Sequence, residues 1–443
     1  MQIRDHLNIP LGELAALCQR YHVREVALFG SVLRVDFRDD SDIDVLVEFE
    51  PDAPIGLFQF VGLKNELSVL VGRPVDLAEK QGLKRQVREQ VLRDACVIYS
   101  RKSLLCIRQH KGASLMTLHP SSPSPVNRED PTIQWLLAGD PAIRWQVLRD
   151  LIDAPADEVA AERARVATDG WGAQLLARQR ADGTWAGFAW NHGWDSTMHA
   201  LTLLQHLGLD PASAEAQRAV GLVLNNVTWG DCGPEECHDN PYFAGEIEPC
   251  INGQVAAAGA YFGQDVGSII DRLLSEQLSD GGWNCDAERG SMRSSFNTTI
   301  CVLEALLAWE QSGAAAPAVS AARLRGEAYL LDRHLYKRLS TGEPITQDRK
   351  GHTDFTRFAF PTWWHYDVLR GLDYFRQASA TPDPSLADAI SLLISRRNAD
   401  GRWPLDRSYP GVMPVDLGET VGQPSRWNTL RALRVLRWYG AQE

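Results

Sequence analysis

Three segments of this 443-residue chain end in the same way: LLARQRADGTW at Trp185, LLSEQLSDGGW at Trp283 and LLISRRNADGRW at Trp403. In each, an amphipathic helical stretch runs into an Asp-Gly or Asn-Ala-Asp-Gly turn and closes on a tryptophan. The spacings are 98 and 120 residues, close to two units of roughly 50 residues, the upper end of the periods that mark repeat architectures. A degenerate copy stands between the first two at Trp229, in VLNNVTWGD. Each unit fits a helical hairpin whose glycine ends a helix and whose tryptophan packs back over it. Strand-like alternation is scarce after residue 131. Helical stretches such as AIRWQVLRDLI, STMHALTLLQHLG and TTICVLEALLAWEQSG fill the region. A chain of this kind has to be all-helical over residues 131–443.

The first hundred residues read differently. EVALFGS and IDVLVEF are strands, IGLFQFVGLKNELSVLVG is a helix with Gly72 past its end, and PVDL, LKRQVREQVLRDA and CVIY supply strand, helix and strand. Alternation of this kind predicts an α/β sheet domain. IDVLVEF carries Asp44, with Asp42 two positions earlier, and the strand period of two sends both side chains to one face. Two adjacent carboxylates repel, and a divalent cation holds both ionised. The Gly30-Ser31 turn that follows VALF offers backbone N–H groups and a hydroxyl to a phosphate.

The combination of Gly30, Ser31, Arg34, Ser41, Asp42 and Asp44 resembles the GSxxRG…SDIDLxV pattern of the minimal nucleotidyltransferases in the DNA polymerase β superfamily, small domains often found as antitoxins beside HEPN toxins. The chain departs from the pattern at Val35, where the family has glycine. The family's third carboxylate, on a later strand, corresponds to Asp76 in GRPVDLAE. The resemblance implies transfer of NMP, AMP from ATP, with Mg²⁺, onto a hydroxyl, commonly a tyrosine of a toxin partner. On that reading Asp42, Asp44 and Asp76 hold metal, and Asp76 also takes the acceptor's proton. Gly30 and Ser31 hold the terminal phosphates with Ser41 nearby, and Arg34 neutralises developing charge or braces its loop. The resemblance covers residues 1–100.

The repeats of residues 131–443 resemble the QW repeats of squalene–hopene cyclases and the hairpins of protein prenyltransferase β subunits. They imply an α/α toroid of about six hairpins. Gln179, Gly183 and Trp185 match, as do Gln277, Gly281 and Trp283; in the third copy Arg397 replaces the glutamine beside Gly401 and Trp403. Neither family's chemistry carries over. No DxDD acid and no DDxxD motif occurs, and Ser295 and Asn297 stand where a prenyltransferase needs Asp and Cys for zinc. The toroid is then a module for an apolar ligand or a protein, with a tight apolar cavity. Asp286, His365, Asp367 and Trp363 are candidate cavity residues, and Trp364, Trp403 and Trp427 candidate cavity aromatics. Cys232, Cys237, His238 and Cys250, with Cys285 near in repeat order, are possible zinc ligands by residue type, although the CxxC spacing of structural zinc sites is missing.

Residues 101–130, with HPSSPSPVNREDP, have no periodicity and read as a linker. Met116 inside it resembles an independent start, as in a gene fusion or two neighbouring genes read as one. The net charge of −12 excludes a general nucleic-acid binder. Eight cysteines in so long a chain do not make a disulfide scaffold. No signal pattern and no apolar run near 18 residues is present, so a cytoplasmic protein is expected. Two rival readings remain: a terpenoid-processing enzyme using a non-standard acid, and a non-catalytic interaction scaffold.

Overall fold

The computed structural model describes residues 2–4, 7–8, 14, 17–18, 20–29, 43–49, 57–71, 73–80, 96–100, 127–191, 193–230, 239–314, 316–346, 354–379 and 381–440. It divides into two compact units, Met1–His119 and Pro120–Glu443.

In the first unit, β1 (Gln2–Arg4) and β2 (Leu7–Asn8) form a short antiparallel pair. The main sheet has β3 (Val23–Phe29), β4 (Ile43–Phe49), β5 (Val75–Glu79) and β6 (Cys96–Ser100) in the order β5-β4-β3-β6. The pairs β3–β4 and β3–β6 are antiparallel. The β4–β5 pair is parallel, and a parallel pair needs a long crossover, which α1 (Leu57–Val71) supplies. Alternation decides which face is covered. Ile43, Val45, Val47, Val75 and Leu77 are buried in one apolar cluster with Leu63 and Leu67, one helical turn apart on α1. Burying this set drives the unit together; at about 25 cal/mol per Å² each aliphatic side chain contributes about 1.5–3 kcal/mol.

The second unit holds thirteen helices among the described residues: α2 (Pro131–Leu137), α3 (Pro141–Asp150), α4 (Ala156–Ala164), α5 (Gly170–Ala177), α6 (Thr197–Leu207), α7 (Ala214–Asn226), α8 (Pro249–Tyr261), α9 (Gly267–Ser275), α10 (Phe296–Gln311), α11 (Pro317–Leu331), α12 (Val368–Ala378), α13 (Ala387–Ser395) and α14 (Arg426–Tyr439). Burial sorts them into two layers. The helices α3, α6, α8, α10, α12 and α14 are buried almost all round, as inner helices must be. The helices α7, α9, α11 and α13 bury one stripe each. Named bonds trace the inner ring. Trp145 Nε1 on α3 donates to Leu207 O of α6 at 2.9 Å, and α6 packs on α8. At Gly253 a Cβ would lie 2.6 Å from the Cys301 backbone, so only glycine lets α8 and α10 approach this closely. Glu304 of α10 binds Arg370 of α12, Asp373 of α12 binds Arg434 of α14, and Arg434 Nη1 donates to Gln146 Oε1 of α3 at 2.8 Å. The ring is closed: this unit is an α/α toroid.

The repeat explains itself in the hairpin turns. Trp185, Trp283 and Trp403 each donate Nε1 to the carbonyl of the leucine ten residues back, Leu175, Leu273 and Leu393, at 2.7–2.8 Å. Their backbone N–H groups donate to Thr197, Thr299 and Thr429 of the next inner helix. Gln179 Nε2 bridges Gly183 O and Ala219 O, and Gln277 Nε2 bridges Gly281 O and Ala322 O. Arg397 makes the near bond, to Gly401 O at 3.1 Å, and lays its guanidinium over Trp403. Among the described residues no helix is long and apolar enough to cross a membrane.

Candidate functional site

In the sheet unit the register brings two of the expected carboxylates together. Asp44 on β4 is the direct partner of Asp76 on the parallel strand β5. Parallel neighbours lie about 4.8 Å apart, and residues in register point to the same face. Flanking residues fix which face: Ile43, Val45, Val75 and Leu77 are buried under α1, so Asp44 and Asp76 turn to the opposite side. Asp44 is half-buried and Asp76 exposed. Across the sheet Asp44 is also the partner of Phe29, the residue before Gly30-Ser31 in sequence. Lys64 of α1 reaches Asp76 Oδ1 at 3.3 Å, an exposed pair of small energetic weight that leaves the carboxylate able to exchange partners. Two acidic oxygen donors on adjacent strands suit a hard divalent cation such as Mg²⁺. Gly30, Ser31, Arg34, Ser41 and Asp42 lie outside the described residues.

A scan against family models matches residues 14–99 to the nucleotidyltransferase domain. The protein adenylyltransferase MntA of Thermococcus cleftensis is 42% identical over 83 residues, 19% of this chain and 80% of that protein. The chain belongs to the nucleotidyltransferase family. MJ1217 of Methanocaldococcus jannaschii, provisionally named as a protein adenylyltransferase, is 35% identical over 17% of this chain and 81% of its own. Among solved structures, one provisionally described as a minimal nucleotidyltransferase is 41% identical over 19% of this chain and 85% of that one, with a TM-score of 0.18. The type II terpene cyclase MstE from Scytonema is 18% identical over 68% of this chain and 85% of its own, with a TM-score of 0.33.

The toroid holds a partly open cavity of about 460 Å³, lined by the C-terminal halves of α3, α6, α8 and α10 together with residues of α12 and α14. An apolar cavity was expected there; this one is charged. Arg370, Arg376, Arg431 and Arg434 line it with Glu304 and Asp373, beside aromatic walls from Trp145, Phe360 and Trp427. Of the four arginines, Arg376 stands in the last turn of α12, where the partial negative charge of a helix C-terminus favours a cation. Burial pushes the Asp373 carboxyl up, but Arg434, Arg376 and Arg431 outweigh it and hold it well below the usual carboxylate range. Burial lowers the Arg431 guanidinium, with Asp367 and Asp373 opposing only in part.

None of the four residues singled out for the cavity is among those lining it. Asp286 is exposed and pairs with Arg289 at 3.0 Å. Asp367 is buried as the N-cap of α12, accepting from Arg370 N at 2.8 Å and Ala359 N at 3.0 Å. Trp363 is buried and stacks on Trp194 at 5.3 Å, with His199 edge-on to both. His365 lies between Trp364 and Tyr409, at 3.7 and 3.6 Å. Arg370 ties this segment down by donating Nη1 to Trp363 O and His365 O. Of the expected aromatics Trp427 reaches the cavity, while Trp403 is a hairpin staple.

Cys232, Cys237 and His238 lie outside the described residues. Cys250 and Cys285 do come together, and Glu248, which the sequence reading passed over, joins them: one ligand atom of each lies within 4.8 Å of the others. The signal was present as Glu-Pro-Cys at a helix start. The cavity arginines were missed for a similar reason. Arg370, Asp373 and Arg376, and Arg431 and Arg434, recur at three-residue spacing on helices that are buried almost all round.

Proposed function

We propose that the N-terminal unit is a Mg²⁺-dependent adenylyltransferase that moves AMP from ATP onto a hydroxyl of a partner protein. The observation that carries this is the pairing of Asp44 with Asp76 in register on parallel strands, within a segment whose relatives include a protein adenylyltransferase. The exposed Lys64 pair offsets the Asp76 charge only weakly, and a bound cation would favour the ionised form of both carboxylates. Asp44, Asp76 and Asp42 would hold Mg²⁺, whose chemistry is to neutralise the phosphate oxygens and orient the triphosphate. In the reaction the acceptor oxygen bonds to the α-phosphorus, the bond from that phosphorus to the β-phosphate bridging oxygen breaks, and diphosphate leaves. The acceptor's proton passes to the Asp76 carboxylate, which its exposure leaves within reach of an incoming hydroxyl. Gly30 and Ser31 would hold the terminal phosphates with Ser41 beside them, and Arg34 would balance charge on the triphosphate.

The acceptor protein is a separate chain, with a toxin partner as the first candidate, in keeping with an antitoxin-like role in the cytoplasm. The toroid is the module that binds or positions a ligand or protein. Its charged lining favours a ligand with an anionic group over a wholly apolar one. Residues 1–100 and 131–443 act as two domains joined by 101–130.

The test is incubation of the full chain with ATP labelled at the α-phosphate, Mg²⁺ and lysate from the source cells. Label should move onto protein. Asp76→Asn should lower the transfer by about 10²–10⁴-fold, the range for losing a positioned acid–base group, and Asp44→Asn should lower it by removing a metal-holding carboxylate, each with the thermal transition retained. Transfer at the parental rate by both variants would refute the reading, as would no labelled protein and no Mg²⁺-dependent ATP binding in the parent.

A further inference from the structure

At the start of α8, two helical hairpins bring sulfur and carboxylate donors to one point. Glu248 is the N-cap residue of α8, yet its side chain makes no capping bond. Its carboxylate instead faces the thiol of Cys250 in the first helical turn, with Sγ to Oε2 at 3.8 Å. The third donor comes from the neighbouring hairpin. Cys285 follows the Trp283 staple by two residues, and Thr298 of α10 fixes it twice: Oγ1 accepts from the Cys285 N–H at 3.4 Å and lies 3.5 Å from its Sγ. The three donors lie within 4.8 Å of one another and all are partly buried.

We propose that Glu248, Cys250 and Cys285 form a zinc-binding site that ties the start of α8 to the loop after Trp283. The donor set selects the ion, since thiolates with a carboxylate favour Zn²⁺ over Mg²⁺ or Ca²⁺, which take oxygen ligands. The spacing is nearly right. With Zn–S near 2.3 Å, tetrahedral donors stand about 3.8 Å apart, so side-chain rotations of about 1 Å close the site. Both donor-bearing segments are already anchored, by the inner helix and by the tryptophan staple, so little ordering remains at binding. Electrostatics agrees with this placement. The hydrogen bond from Cys250 lowers the Cys285 thiol, while the same partner and burial raise Cys250. Zn²⁺ takes both sulfurs as thiolates, and the two thiol protons leave to solvent. Three donors are present among the described residues, and a tetrahedral site takes a fourth. This assignment is independent of the nucleotidyltransferase reading, because every residue in it belongs to the toroid unit.

The experiment uses the reduced full chain, stripped with chelator and titrated with Zn²⁺ alone in the absence of ATP and Mg²⁺. One Zn²⁺ per chain should remain after gel filtration, and its binding should raise the melting temperature. Co²⁺ in its place should give a thiolate charge-transfer band in the near ultraviolet. Cys250→Ser and Cys285→Ser should abolish retention, and the milder Glu248→Gln should weaken it by at least about tenfold while leaving the circular dichroism unchanged. Retention of zinc by both cysteine variants at the parental level overturns the assignment. So does a reduced parent that binds no zinc, including one whose two thiols prove to form only a disulfide on oxidation.

Discussion

Replacing Asp373 by Asn removes a charge with almost no change in shape. Asp373 is 7% exposed and faces three guanidiniums: Arg434 through both carboxylate oxygens, Arg376 at 2.9 Å and Arg431 at 3.9 Å. Breaking a buried pair by removing one partner costs about 3–5 kcal/mol. The cavity beside it lets the exposed guanidiniums recover some hydration, so the lower end, about 3 kcal/mol, is expected. For a unit of this size about 2 °C is lost per kcal/mol, a fall of about 6 °C. All fourteen tryptophans follow residue 130, so intrinsic fluorescence during urea or thermal unfolding follows the toroid alone. Adding Arg434→Gln to Asp373→Asn should cost less than the same change in the parent, because it removes a guanidinium that has lost its counter-charge. A coupling of about 1–3 kcal/mol is expected. A loss below about 1 kcal/mol for Asp373→Asn, or strict additivity in the double variant, would refute a role for Asp373 as the charge that holds α12 to α14.

Acid should unfold the toroid earlier than carboxylates alone require. Burial pushes His199 and His206 down to about 4 and His365 to about 3, so the folded state keeps them neutral while the unfolded chain protonates near 6.5. Stability is therefore full above pH ~6.5 and falls as pH drops toward ~4, by about 3 kcal/mol for His206 alone. His206→Gln should flatten the slope measured by urea titration across that window, and an unchanged slope would count against this origin. Trp283→Phe removes the donor to Leu273 O and leaves a gap at a fully buried site; a loss of about 2–4 kcal/mol is expected from the bond and the cavity together, read by calorimetry.

The hairpin register of the toroid was legible because it repeats. Gln179, Trp185, Gln277 and Trp283 have the same partners in each copy, and a local rule repeated at intervals leaves a pattern in one dimension. The pairing of Asp44 with Asp76 was legible in part, since each sits between apolar neighbours on a strand. Their register across a parallel pair depends on where the crossover returns, which no residue in either strand announces. The cavity was misjudged as apolar because its charges pair between helices: Arg434 meets Asp373 from 61 residues away and Gln146 from 288. Glu248 was missed for the opposite reason. Its position at a helix start reads as a cap, and the side chain does something else.

The seam between α3 and α14 has a consequence for the order of events during synthesis. Arg434 and Arg437 of α14 bind Gln146 and the Asp150 carbonyl of α3, bonds that span nearly the whole toroid. Each earlier hairpin can dock on its predecessor as it emerges from the ribosome, but α3 keeps an uncovered apolar side until the final helix appears. At about 5–20 residues per second, the interval between the emergence of α3 and that of α14 is on the order of 15–60 s. Through that interval a nearly complete arc carries an open edge at each end, and the same two edges on neighbouring nascent chains are complementary. The arc is therefore the species a chaperone would meet, and its risk is end-to-end joining into open chains of arcs rather than disordered collapse.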